Sequence, residues 1–337
     1  VPNITTSTVI PPAVQSYFDR KLLMRALPYL AYDRVAQRRG LKQRSGNTLV
    51  FRRFEALALA LAPLNEGAPP TGKQLSKTDI SVTLQQWGDY VTLTDFGRAT
   101  VESDLLNEAS DVLGEQAGQS MDALLRDVAS AGTTVFYGNA VAARANLVGA
   151  AQKIDGAVLD RATRFLLEQN AKMFTEIISA SSKFATFPIR DAYLAITHPD
   201  VIFSAQEMPG WISVEEYASD GQVMPGEVGA YKNIRFLQTT QAKVLPGGGG
   251  TAVAGEVKST GGLADVFMIN LFGKEAIATC PLDGMSMENI IKPLGSAGVA
   301  DPLNQLSTSG WKHTGARKIL NDNFMARIEV TATLNAP

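Results

Sequence analysis

The extended run Gly88-Asp-Tyr-Val-Thr-Leu-Thr-Asp95 leads almost at once into a helical pattern that starts near Asp104 and persists to about Ala131. Apolar or small residues recur at Leu106, Ala109, Leu113, Ala117, Met121, Leu124 and Val128, in steps of three and four that put one apolar stripe on a helix. At ~1.5 Å per residue such a helix spans roughly 40 Å, more than a small domain requires. Gly114 and Gly118 lie inside it. Each costs about 1 kcal/mol relative to Ala, and their spacing lets another backbone approach, so both are candidate packing residues of a spine. Ser103 is the expected cap, with Asp104 and Glu108 well placed in the first turns. The pairing of extended ribbon and long helix suits a chain whose work is its shape.

Upstream, Leu49 to Glu55 and Asp79 to Asp95 read as strands. Ile80, Val82 and Leu84 share one face, Val91 and Leu93 resume an apolar face, and the phase slips near Trp87 and Gly88. In a period-two pattern a one-residue slip turns side chains to the other face, so a bulge or sharp twist is expected there. Between the strands, Ala56 to Thr78 has an apolar first half and then a turn-rich tip, Glu66-Gly-Ala-Pro-Pro-Thr-Gly-Lys73. A long two-stranded ribbon is marginal alone and must lean on its own body or on a neighbouring subunit. Apolar residues reach close to the tip, which favours the neighbour. The candidate contact residues are Leu64, Pro69, Pro70, Lys73, Leu75, Trp87 and Tyr90.

Residues 1–12 read as an extended arm, and Pro12 to Gly40 as two short helices interrupted at Pro28. Charge is uneven: ten basic residues precede Glu55 against Asp19 and Asp33, although the whole chain has a formal net charge of -2. Arg34, Arg38, Arg39, Lys42 and Arg44 form its densest part. Such a stretch can touch a polyanion, or be a solvated face paired with acidic neighbours; both readings stay open. Aromatic residues are interspersed, but no base-reading motif is present, so only non-specific contact with phosphates is supported.

Beyond Gly132 helices and strands alternate. A helix is expected over Asp155 to Asn170, a buried strand over Ala192 to Ile196 and a short helix over His198 to Glu207. Strands are expected over 231–240, Asp265 to Phe272 and Ala326 to Thr333, with a flexible Gly-rich loop over 245–262. At 337 residues and 45% hydrophobic content the chain can bury a sizeable core. Cys280 is the single cysteine, which excludes an intrachain disulfide and reads as a buried structural thiol. No apolar run approaches the ~20 residues of a membrane helix, and Val1-Pro-Asn-Ile-Thr-Thr6 carries no signal pattern. The start at Val1 is read as loss of an initiator Met.

The search for chemistry finds neither catalytic residues nor a cofactor or metal site. Two histidines, His198 and His313, and one cysteine do not make a zinc cluster or a Cys-His pair. His198, before Pro199 at a strand end, suits a backbone-satisfying role. Gly247 to Gly250 lacks the Lys-Ser or Lys-Thr of a phosphate loop. Asp104, Glu108, Asp111 and Glu115 share a helix face, which reads as solvated charge rather than as an acid-base pair.

Several segments carry a family likeness: Gly67-Ala-Pro-Pro-Thr-Gly-Lys-Gln-Leu75, then Gln86-Trp-Gly-Asp-Tyr-Val-Thr-Leu-Thr-Asp95, then Leu106-Asn-Glu-Ala-Ser-Asp-Val-Leu-Gly-Glu-Gln116. Near the C-terminus, Asp301-Pro-Leu-Asn-Gln305, Gly310-Trp-Lys312, Lys318-Ile-Leu-Asn-Asp-Asn323 and Arg327-Ile-Glu329 follow in order. Together they resemble the major capsid proteins of bacteriophages of the coliphage N-four type. The resemblance implies an α+β chain with the tailed-phage shell fold named after phage Hong Kong 97. Its parts would be an N-terminal arm (1–47), an extended β-hairpin loop (48–100), a peripheral domain with the spine helix (101–149), an axial domain (150–300) and a C-terminal return to the peripheral domain (301–337).

By the same resemblance, subunits would form hexamers and pentamers of an icosahedral head around double-stranded DNA, assembled in the bacterial host cytoplasm. Cement, portal and scaffolding proteins would be partners; enzymatic activity, cofactors and membrane contact are not implied. A Lys to Asn crosslink, known in some relatives of the fold, has no matching pair here. The alternatives are an encapsulin-like nanocompartment shell of the same fold, or an oligomeric α+β enzyme using the carboxylates of the spine.

Overall fold

The structure, a computed structural model, describes residues 30–55, 57, 59–61, 63, 72–100, 105–178, 186–217, 223–296 and 301–334. A 3-10 turn, Tyr32–Arg34, precedes β1 (Gln37–Arg38), β2 (Thr48–Phe54), β3 (Lys77–Thr83) and β4 (Gln85–Thr94). Helix α1 (Asp95–Thr100) and the long helix α2 (Leu105–Ala129) follow. Then come β5 (Val135–Tyr137), α3 (Gly156–Glu168), β6 (Phe174–Ile178), β7 (Thr186–Thr197), α4 (Pro199–Gln206), β8 (Trp211–Ser213), β9 (Glu227–Tyr231) and β10 (Ile234–Gln238). The chain closes with β11 (Val244–Leu245), β12 (Ser259–Thr260), β13 (Leu263–Ala264), β14 (Val266–Phe272), β15 (Ile277–Pro281), β16 (Glu288–Lys292), β17 (Leu306–Ile319) and β18 (Met325–Val330).

Two sheets carry the body. The larger has nine strands, in the order β5-β18-β14-β7-β10-β9-β8, with β11 on β14 and β6 on β7. Its central strands are buried on both faces, so they read as unbroken apolar runs and not as alternation. All seven residues of β14 are buried. Tyr193 and Ala195 of β7 meet Val158, Leu159, Ala162 and Leu166 of α3 and Val201, Ile202 and Ala205 of α4 on one face. Leu194 and Ile196 meet Tyr32, Phe272 and Leu125 and Ala129 of α2 on the other. Asp155 caps α3. His198 caps α4, its Nδ1 accepting from the Asp200 N–H at 3.2 Å with Pro199 in the first turn, the backbone-satisfying role expected of it.

The smaller sheet is organised by β17. Its residues Leu306 to Gly315 pair with β4, while its other edge takes β16 and then β15, and β15 in turn pairs with β1 in parallel. Helix α2 serves both sheets. At ~1.5 Å per residue its 25 residues run ~37 Å. Leu113, Ala117 and Met121 pack on Trp311 of the small sheet, whereas Leu125 and Ala129 pack on the large one. The buried stripe therefore differs from the expected one in the second half, where 125 and 129 replace 124 and 128 because the partner is a different sheet. The expected cap Ser103, and Asp104, lie outside the described residues.

Other expectations are corrected. Residues 30–40 form a 3-10 turn and a two-residue strand instead of a helix, with β1 held by β15. No bulge interrupts Trp87 and Gly88: the β4/β17 register is continuous through His313 and Lys312. The slip falls at Leu84, whose N–H still closes the β2/β3 ribbon on Asn47 O at 2.8 Å before the chain changes sheets at Gln85. Strand β17 forms although its Ser, Thr, Gly and Lys residues carry little apolar alternation. The segment 245–262 is not a free loop. Gly249 N–H donates to Ala264 O at 2.9 Å, Gly250 N–H to Leu147 O at 3.0 Å and Val253 N–H to Val148 O at 2.8 Å.

The glycine run thus permits close packing. A Cβ at Gly250 would lie 2.2 Å from the Ala145 carbonyl oxygen, whereas Gly255, at φ +78°, faces open space. Gly250→Ala is expected to destabilise the protein by about 1–3 kcal/mol, read as a lower denaturant midpoint at unchanged slope. Gly255→Asn, a residue that tolerates left-handed backbone, should stay within about 0.5 kcal/mol of wild type. Equal effects would contradict this account of the run.

Candidate assembly surface

The ribbon of β2 and β3 pairs in register from Thr48 with Thr83 to Phe54 with Lys77, and Glu55 N–H extends it to Ser76 O at 3.1 Å. Its inner face is attached to its own body: Phe51 and Val82 are buried with Ala278, Cys280 and Ala316, and Leu49 and Ile80 pack against them. Burial pushes the Cys280 thiol up to about 11, which keeps it protonated and inert, as expected of a structural thiol. On the outer face Arg52 holds Asp79 at 3.0 Å, and that hydrogen bond keeps the Asp79 carboxyl below its usual range.

Past the last pair the side chains lose their cover. Leu57, Leu59, Leu61 and Leu75 are exposed, Leu59 to 80% and Leu61 to 85%, and Phe54 is exposed to 60%. Single exposed leucines are ordinary; a concentration of them on one projecting loop marks a contact surface. Lys73 Nζ donates to Leu59 O at 3.2 Å across the loop. Leu64, Pro69 and Pro70 lie outside the described residues.

Trp87 and Tyr90 part company. Three residues apart on one strand, they take opposite faces. Tyr90 is 68% exposed, whereas Trp87 is half-buried against its own chain, stacked on His313 at 6.0 Å with the Arg317 guanidinium 4.8 Å from its ring centroid. Trp87 therefore lends part of its ring to the subunit interior and keeps the rest exposed.

That interior joins β4, β17 and α2. Trp311 Nε1 donates to Gln116 Oε1 at 3.1 Å, and Gln116 Nε2 donates to Asp89 Oδ2 at 2.6 Å, which holds the Asp89 carboxyl below its usual range. Gly114 and Gly118 are buried within the helix. A Cβ at Gly88 would meet Trp311 O at 2.6 Å, so the glycine in the phase-slip region serves close strand approach. His313 has its Nδ1 against Ser286 O and its Nε2 3.3 Å from Arg317 Nη2. Burial, reinforced by the Arg317 charge, pushes His313 down to about 4, and burial lowers Arg317 itself to about 10.

The basic stretch is divided. Arg34 donates to Pro225 O and is partly buried, which lowers its pKa; it is engaged with its own chain. Arg38 is exposed 3.5 Å from Asp33, and Arg39 lies over the Phe51 ring at 5.5 Å. Lys42 and Arg44 are exposed on the link from β1 to β2. Among the described residues no group of three His, Cys, Asp or Glu side chains is placed to hold a metal, and no helix is long and apolar enough to cross a membrane.

The sequence model of the phage capsid protein family matches residues 77–286. No curated protein matches. Among solved structures, the capsid of Ralstonia phage GP4 is similar at 14% identity and TM-score 0.63, covering 88% of this chain and 87% of that one. The capsid of cyanophage Pam1 is similar at 16% identity and TM-score 0.60, over 92% and 93%. The head structure of Helicobacter pylori bacteriophage KHP40 is similar at 12% identity and TM-score 0.59, over 90% and 88%. The shared feature at these identities is the α+β fold.

The buried imidazole sets a pH dependence. Its folded pKa of about 4 lies below the ordinary 6.5, so the unfolded chain binds the proton more tightly. The contribution of neutral His313 is present above 6.5 and is lost as pH falls towards 4. The stability difference between wild type and His313→Gln, from denaturant titrations at pH 4 to 8, should therefore shift in favour of wild type as pH rises through this window. A difference independent of pH would contradict the buried neutral imidazole.

Proposed function

The chain belongs to the phage capsid protein family, and from that premise we propose that its projecting hairpin loop docks on an adjacent subunit of an icosahedral head. Its role is structural and non-enzymatic, and as a capsid protein it is a component of the virion. In our reading subunits form hexamers and pentamers around double-stranded DNA in the bacterial host cytoplasm, with portal, cement and scaffolding proteins as partners. The observation that carries the docking is the line of exposed leucines, Leu57, Leu59, Leu61 and Leu75, on a ribbon whose base is already anchored. Burying a leucine is worth about 1.5–3 kcal/mol, so a few such contacts repeated at each interface drive assembly.

The finer assignments belong to the same proposal: the N-four type, the Hong Kong 97 architecture and the divisions at 1–47, 48–100, 101–149, 150–300 and 301–337. Gly114 and Gly118 are the spine's packing residues, and Leu64, Pro69, Pro70, Lys73, Leu75, Trp87 and Tyr90 the extended loop's neighbour contacts. The exposed Arg38, Arg39, Lys42 and Arg44 face packaged DNA through salt-sensitive phosphate contacts. Nucleic acid inside isolated particles distinguishes this reading from a protein-filled nanocompartment of the same fold.

Removing residues 62–76, or making Leu59→Asp with Leu61→Asp, is expected to leave the subunit's cooperative unfolding unchanged and to abolish shells in electron micrographs and sedimentation profiles. Normal particles from either variant would rule out the hairpin as an assembly contact. Replacing Arg38, Arg39, Lys42 and Arg44 by Gln should preserve particles while lowering their retained nucleic acid, most clearly at raised salt. Unchanged retention at every salt concentration would remove these residues from the DNA-facing surface.

A further inference from the structure

Asp122 stands in the C-terminal half of α2 with no exposed surface, facing the segment of residues 31–35. The Tyr32 N–H donates to its Oδ1 at 2.7 Å. Its Oδ2 is buried and has no hydrogen-bond partner among the described residues. Beyond the backbone contact, the Tyr32 side chain is fully buried, edge-on to Phe272 at 6.2 Å, with its hydroxyl accepting from Asn270 Nδ2 at 3.2 Å. The carboxyl therefore holds the backbone of a segment whose side chain is seated in the core between α2 and β14.

Among the described residues no guanidinium or ammonium forms an ion pair with it, although the charges of Arg34 and Arg317 act on it from a distance. Asp33, on the segment itself, is a like charge. Arg34 turns its guanidinium to Pro225 O. Arg317, from β17, is directed to Met121 Sδ, His313 and the Trp87 ring. Arg126, one turn on along α2, is bound to Gln241 O and to Asp127. The Tyr32 phenol is pushed up by burial and stays neutral. An ionised Asp122 would have its charge buried with one oxygen unmatched, whereas a protonated one keeps Oδ1 as acceptor and relieves the charge.

We propose that Asp122 is a proton-operated latch on residues 31–35: protonated, it holds the entering segment on α2, and ionised, it lets that segment lift from the helix. Burial, opposed by the Tyr32 N–H, pushes the carboxyl up to about 7, so the latch changes state near neutral pH. The proton passes to and from solvent as the segment opens. Because the closed state holds this proton more tightly than an exposed aspartate does, opening becomes easier as pH rises, up to the folded pKa, and then levels off. The device concerns the subunit's own fold and is independent of how subunits assemble.

Amide hydrogen exchange on the full chain tests it, with the Tyr32 N–H as reporter and intrinsic rates corrected for pH. In wild type the opening constant should rise about tenfold per pH unit between 5 and 7 and then flatten. Asp122→Asn, which keeps the acceptor and removes the titration, should hold the low value throughout. His313→Gln should retain the wild-type rise, which separates the latch from the buried imidazole. A flat wild-type profile, or an undiminished rise in Asp122→Asn, would overturn the proposal. Should that variant not fold, infrared spectra of the wild type with labelled aspartate decide: a protonated aspartic acid band persisting to about pH 7 is expected, and its absence above pH 5.5 counts against the latch.

Discussion

Docking of the long helix α2 across two sheets is the contact on which the rest of the subunit depends. Leu113, Ala117 and Met121 cover Trp311 at one end, and Leu125 and Ala129 close over Phe272 and Met325 at the other. The small sheet covers neither of its faces by itself, and the large sheet has α3 and α4 on one side only. A single rigid element bearing two apolar stretches supplies the missing cover to both. It also fixes their relation, because a sharp kink between them would disrupt the hydrogen-bond ladder of the helix.

Polar groups set the register of that docking. Trp311, Gln116 and Asp89 link β17, α2 and β4 by directed hydrogen bonds, and Tyr32, Asn270 and Asp122 link the entering segment, β14 and α2. Apolar surfaces slide at little cost, whereas a buried donor moved away from its acceptor costs about 1–3 kcal/mol. The two networks therefore specify one arrangement among many that would bury similar area. The second network places a titratable carboxyl inside the body, and His313 beside Arg317 adds an imidazole with the opposite dependence on pH.

The change of sheet at Leu84 divides the labour of the hairpin. Up to that residue the chain pairs with β2, and beyond it with β17. The ribbon's base is thus held by Phe51 and Val82 on Ala278, Cys280 and Ala316, while the leucines beyond it, Leu57, Leu59, Leu61 and Leu75, are exposed. A fixed anchor with exposed leucines beyond it is the combination on which the proposed docking rests.

Elements whose pattern is local were legible in the sequence: the stripe of α2, the helices α3 and α4, the apolar strand β14, the two strands of the ribbon and the phase slip itself. So was the family, from motifs spread along the chain. Contacts between distant segments were not. Residues 30–40 look helical by composition and become a strand because β15 offers an edge; β17 looks like a loop and becomes the central strand because β4, β15 and β16 pair with it. Trp87 reads as one more aromatic of the ribbon until Arg317 and His313 meet it from β17. Periodicity and capping are properties of neighbouring residues, so the sequence by itself determines which segments have an apolar side. Which surface each side meets, and the charge state of Asp122 and His313 once buried there, is set by desolvation and long-range hydrogen bonding, which exist only in the folded chain.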